Sequence, residues 1–216
     1  MIGATAKELP RRKVTPEMQI HPIMPNRRQQ TNSTEPNVAI LFAAVRSIYH
    51  HLPNLLIYDA HHDARHFTGS LPVVAHPPCR TWSKYLRHQA KSPDLSTEQS
   101  LGKWAVEIVI RNGGVLEQPA GSLLWKACNL PMPAEPANPW LYTIYVEQQW
   151  FGYATRKPTW LLIAGVPRCY LPPMPFNLVK AHKDRRNLSS AGRSRTMKSF
   201  AEWLCQIAQS SWWQLK

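Results

Sequence analysis

The chain of 216 residues is long enough for one domain with a real core, and 44% hydrophobic content with nine tryptophans excludes a disordered or low-complexity protein. Its 26 Lys and Arg against 13 Asp and Glu leave a formal charge of +13, which favours polyanionic partners, nucleic acid first and an anionic membrane surface second. Four widely spaced cysteines without a C-x-x-C pair exclude a zinc ribbon and a disulfide-stapled mini-domain, and they read as reduced thiols in a cytoplasmic protein. No apolar run reaches the ~18–20 residues of a membrane span, so no membrane partner is expected. The N-terminus also lacks the apolar stretch of a secretory signal.

Residues 1–36 are rich in Pro, Asn, Gln and basic residues, with clusters at Arg11-Arg12-Lys13 and Arg27-Arg28 and no apolar periodicity. They read as a disordered basic arm. The continuous apolar run Val38 to Ala43 suits a central strand. A short helix follows over Arg46 to His51, closed by Pro53-Asn54, and a second strand over Leu55 to Tyr58 ends at Asp59. The segment His61-His62-Asp63-Ala64-Arg65-His66 has metal-ligating residue types, but its spacing matches no metal pattern and no metal is expected.

Val73 to Ala75 form a third strand, which runs into His76-Pro77-Pro78-Cys79-Arg80-Thr81-Trp82. Two prolines forbid helix there and stiffen the loop that carries Cys79. That cysteine is either a small buried hydrophobe or a thiol at the carboxyl end of a strand, where α/β sheets place their ligands. The clearest helix follows a polar linker: Ser96 and Gln99 make a capping-box pattern, and Leu101, Trp104, Ala105, Ile108 and Val109 make one buried stripe. Asn112-Gly113-Gly114 ends it. Strand Val115-Leu116 leads to Glu117-Gln118-Pro119, where Glu117 is either a ligand-position carboxylate or an exposed loop glutamate.

A Pro-rich stretch over 128–139 separates this from strands at Tyr142 to Glu147 and Trp160 to Gly165. Between Lys180 and Lys198, seven Lys and Arg residues stand against one acid, Asp184, which makes this the expected phosphate-contacting patch. A last helix buries Phe200, Trp203, Leu204, Ile207 and Ala208. Strands alternating with helices predict an α/β fold: a single domain with a Rossmann-like, mostly parallel sheet flanked by helices.

Three of these stretches, in this order, resemble the DNA cytosine-5 methyltransferases: Pro78-Cys79 after a strand, Glu117-Gln118-Pro119 in place of a Glu-Asn-Val/Pro triplet, and Phe151-Gly152 followed by Arg156 and a strand ending at Gly165. The chain is more closely similar to the small methyltransferase-like proteins that phages and prophages encode, with residues 37–213 as the class I methyltransferase-like domain. The resemblance implies that Cys79 adds to C6 of a pyrimidine, that Glu117 bonds at N3 and the exocyclic amine, and that Arg156 supports the base pocket. It implies S-adenosylmethionine as cofactor, held by Phe42, Pro77 and Asp59, with Asp63 as substitute. DNA is the implied partner, met by Arg80, Trp82, Lys180, Lys183, Arg185, Arg186, Arg193 and Arg195, in the cytoplasm of a host cell. Arg80 or His76 would lower the pKa of the thiol. Two departures stand out. The turn Phe42-Ala43-Ala44-Val45-Arg46-Ser47 has none of the family's glycines, and the chain between Gly165 and the final helix is too short for a target-recognition domain. The alternative these departures favour is a catalytically inactive methyltransferase-fold protein that binds nucleic acid or a host defence protein.

Overall fold

The computed structural model describes residues 35–83, 95–135, 138–177 and 188–211. All of the basic arm up to residue 34, and Lys180, Lys183, Arg185 and Arg186 of the expected phosphate patch, lie outside the described residues.

Six strands form one sheet: β1 Val38–Leu41, β2 Leu55–Ile57, β3 Val73–Ala75, β4 Gly114–Pro119, β5 Leu141–Glu147 and β6 Pro158–Ala164. Their order is β2-β1-β3-β4-β6-β5. The first four are parallel, and β6 runs antiparallel to both β4 and β5. The fold is therefore α/β with a mostly parallel sheet, as the alternation of apolar runs predicts.

Side chains alternate across the pleat, so each strand feeds two cores. After a short helix α3 (Ser190–Ser194) comes helix α4 (Lys198–Gln209), which buries Phe200, Trp203, Leu204 and Ile207 against Val38, Ile40, Val74, Val115, Leu161 and Ile163. Ala39, Leu41, Val73, Ala75, Leu116 and Leu162 face helix α1 (Leu95–Asn112) through Ala105, Val106, Ile108 and Val109. The short helix α2 (Leu124–Ala127) adds Trp125, whose indole N–H donates to Thr143 Oγ1 at 2.8 Å. Layers of helix, sheet and helix thus bury the near-continuous apolar strands on both faces.

Several boundaries move. The helix α1 starts at Leu95, which places Ser96 inside the first turn rather than at the cap. It ends where the Asn-Gly-Gly signal puts it, with Asn112 donating to the carbonyls of Gly69 and Leu71 at 2.8 and 3.0 Å. Strand β1 stops at Leu41, and the expected helix over Arg46–His51 is a single 3-10 turn, Ile48–His51. No helix among the described residues is long and apolar enough to cross a membrane.

Candidate active site

The parallel register decides which residues meet at the carboxyl ends of the strands. Leu41, Ala75 and Leu116 lie side by side in β1, β3 and β4, so Phe42, His76 and Glu117 stand one residue further along the same row. Alternation then turns His76 and Glu117 toward the α4 face, the side of Val74 and Val115.

Glu117 is not a loop residue: it lies in β4, paired with Leu161 of β6, and its side chain is 14% exposed. His76 Nδ1 is 3.1 Å from Glu117 Oε2, and Gln148 Nε2 donates to Oε1 at 3.0 Å. On the far side of the imidazole, Nε2 meets the hydroxyl of the buried Tyr49 at 2.9 Å. Burial raises the pKa of Glu117, but the His76 hydrogen bond, the charges of Lys157 and His76, and the Gln148 bond outweigh it, and the net shift is downward. Glu117 is thus a carboxylate at neutral pH. The buried Gln148 Oε1 beside it has no hydrogen-bond partner among the described residues.

That shift carries an acid-stability prediction. A carboxylate whose folded pKa lies below its unfolded value of about 4.3 stabilises the fold above that pH and loses the contribution as pH falls through the folded value. Native protein should therefore exceed Glu117→Gln in urea-unfolding free energy above roughly pH 4.5, with the gap closing at lower pH. A gap that does not change with pH would contradict the ionised, bonded carboxylate.

Cys79 is exposed, which rules out the buried-hydrophobe reading. Its loop is pinned from β4: Gln118, next to Glu117, donates from Nε2 to the Pro77 carbonyl at 2.6 Å and accepts from Ser122 Oγ at 3.3 Å. Further along, Leu123 N–H donates to the Trp82 carbonyl at 2.9 Å, and Trp82 N–H to that of Cys79 at 3.2 Å. The Glu-Gln-Pro stretch therefore supplies both the carboxylate and the clamp on the thiol loop. The two groups proposed to lower the thiol pKa are engaged elsewhere: His76 with Tyr49 and Glu117, and Arg80 with Glu98, Nη2 to Oε1 2.5 Å.

Arg156 departs from its expected place. Its guanidinium, with the side chain 75% exposed, binds Glu147 Oε1 at 2.8 Å, together with Tyr145. Ile144 and Val146 face the α4 core, so Tyr145 and Glu147 face the opposite side of the sheet from Glu117. Lys157, one residue on, is the cation whose charge reaches Glu117. It also lies over the Tyr153 ring at 5.1 Å and donates to the Arg195 carbonyl at 3.4 Å. Tyr153 OH donates to the Gly192 carbonyl at 2.8 Å, and the exposed Arg193 and Arg195 are held beside this end of the sheet. Trp82 is 6% exposed and packs on α1 at Gly102, which leaves it no face for stacking on a base.

The residues offered to S-adenosylmethionine do not make the cradle that the resemblance implies. Phe42 sits at φ 63°, the left-handed region, packed edge-to-face on Trp104. A left-handed non-glycine residue costs about 1–2 kcal/mol, so the turn adopts a glycine-like backbone while keeping a side chain that packs on Trp104. Asp59 Oδ1 accepts from the His61 and His62 amides at 2.8 and 3.2 Å, and Oδ2 faces His50 Nε2 at 3.4 Å. Its Oδ1 is thus committed to its own loop, and Oδ2 is turned to His50. Asp63 is held by Arg65, whose hydrogen bond depresses its pKa to about 2. Pro77 is buried, its carbonyl taken by Gln118.

Tyr49, Gln148 and Lys157 carry no motif of their own: the 3-10 turn Ile48–His51 brings Tyr49 to His76, and the turn Gln148–Phe151 brings Gln148 to Glu117. Neither a scan against protein-family models nor a search of curated proteins finds a match to the chain.

Proposed function

We propose that this protein modifies a pyrimidine base of nucleic acid through Cys79, in the manner of the DNA cytosine-5 methyltransferases and of their small phage-encoded relatives. The observation that carries the reading is the joint construction of Glu117 and the Cys79 loop. An exposed thiol stands in the loop that follows β3, an ionised, internally braced carboxylate stands on the neighbouring parallel strand β4, and Gln118 ties that loop to β4 through the Pro77 carbonyl. A pyrimidine C5 is a poor nucleophile. Addition of the Cys79 thiolate to C6 forms the S–C6 bond and pushes the C5–C6 π pair toward N3, leaving an enamine that reacts at C5. Glu117 keeps open lone pairs on both oxygens, which suits it to accept from the exocyclic amine of cytosine. A base in a duplex must leave its stack to reach the thiol, and a single strand avoids that cost. Lys157, Arg193 and Arg195 offer positive charge at the same end of the sheet for phosphates.

The group transferred to C5 is tested by titrating the protein calorimetrically with S-adenosylmethionine, alone and with single-stranded DNA. The buried Asp59 carboxylate, bound by its own loop and facing His50, and the left-handed Phe42 in place of the family's glycines predict no heat at micromolar concentrations. Binding near 1 μM, about −8 kcal/mol, would overturn that expectation and make methyl transfer the reaction. The same two residues favour a second reading, in which the fold binds nucleic acid or a host defence protein without catalysis. It differs from the first in requiring nothing of Cys79.

A further inference from the structure

The chain Tyr49–His76–Glu117 has one hydrogen arrangement that satisfies every atom. Ionised Glu117 can only accept, so the proton between it and His76 resides on Nδ1. In the neutral ring Nε2 is then an acceptor, and the Tyr49 hydroxyl donates to it. Tyr49 is 1% exposed, its ring lies 5.5 Å from the imidazole, and His76 is its hydroxyl's one partner among the described residues. Burial pushes Tyr49's pKa well above its ordinary value, so its hydroxyl stays protonated and holds the tautomer in place. The titratable groups around this pair are Tyr49 from the 3-10 turn Ile48–His51, Glu117 from β4, Lys157 from the approach to β6, and Cys205 from α4. The Cys205 thiol is pushed up to about 12, chiefly by burial, and is uncharged.

We propose that His76, its tautomer set by Tyr49, is the positioning residue for Glu117: its Nδ1–H holds the carboxylate in the orientation that accepts from the exocyclic amine of the pyrimidine. This rests on the pyrimidine reading above. The Nδ1–H of His76 on Oε2 and the Gln148 amide on Oε1 fix the rotation of the carboxylate, and a lone pair stays open on each oxygen. A carboxylate that cannot rotate offers the exocyclic amine of the base one direction of approach, so the cost of orienting it is met before the base arrives. Loss of the Nδ1 donor frees the carboxylate and misplaces the base relative to the Cys79 thiol without removing any group that reacts.

Two measurements test this. Nitrogen-15 spectra of the imidazole at neutral pH should show His76 with its proton on Nδ1, and Tyr49→Phe should admit the Nε2–H form. An Nε2–H tautomer in the native protein overturns the positioning of Glu117. The second is the rate of tritium release from single-stranded DNA carrying [5-³H]deoxycytidine, which reports addition to C6 without a cofactor. His76→Phe, which removes the Nδ1 donor, should lower the maximal rate by about 10²-fold with KM little changed, and His76→Gln, which keeps a donor, should lose less. Variants that keep the native maximal rate overturn the positioning role. Absence of release from native protein strikes the pyrimidine reading, while the tautomer decides the positioning separately.

Discussion

Cys79→Ala should lose base modification by about 10³-fold or more, because addition to C6 has no substitute nucleophile among the groups around Glu117. The thiol is exposed, so the same change should alter stability by no more than about 0.5 kcal/mol. The loop that holds it should also persist, since two of its clamps run through the Pro77 and Trp82 carbonyls. Affinity for single-stranded DNA should likewise be retained. Equal activity in Cys79→Ala, measured on protein with an unchanged thermal transition, would dismiss the thiol as nucleophile.

The second large effect is structural. Gly114→Ala should destabilise the protein by roughly 3 kcal/mol or more, a large share of the ~5–15 kcal/mol typical of a domain. Gly114 opens β4 at φ 120°, directly beside Val73 of β3. A Cβ there would lie 2.0 Å from the Val73 carbonyl oxygen and 2.8 Å from its nitrogen, both backbone atoms that cannot rotate away. The strands would have to part at the seam that carries Cys79 on one side and Glu117 on the other, so activity should fall with stability. Gly152→Ala is the control: its φ of 86° strains any side chain, but nothing lies within 4 Å of the added Cβ. Urea-unfolding midpoints for the two variants decide the matter, and a Gly114→Ala midpoint equal to that of Gly152→Ala would contradict the packing at the β3–β4 seam.

Much of the architecture is legible in the sequence because the strands are apolar on both faces and the helices on one. Val38 to Leu41 and Val73 to Ala75 read as buried strands without any partner in view, and the stripe from Leu101 to Val109 reads as α1. The direction of β6 is not legible, because an apolar run carries no sign of whether its neighbours are parallel or antiparallel. The start of α1 is misread because Ser96 and Gln99 have capping spacing within a turn that is already helical.

At the site, Cys79 and Glu117 stand out as chemistry-bearing residues at strand ends, and a strand end in an α/β sheet is a ligand position whatever the family. Their partners do not stand out. Tyr49 is 27 residues from His76, and Gln148 is 31 from Glu117, so only the register of three strands makes them neighbours. The exchange of Arg156 for Lys157 has the same origin. Two adjacent basic residues leave the chain on different sides, and which one turns toward Glu117 depends on the pairing of β5 with β6. Asp59 looks available from its place after β2, yet the two amides that follow it close an Asx turn on its carboxylate.

The most direct test of the account is release of tritium to water from single-stranded DNA carrying [5-³H]deoxycytidine, comparing native protein with Cys79→Ala. Addition at C6 makes the C5 hydrogen exchangeable, whatever group is later transferred to that carbon. The account predicts release by native protein and none above background by Cys79→Ala. No release by native protein that still binds the DNA, or equal release by both, would contradict it.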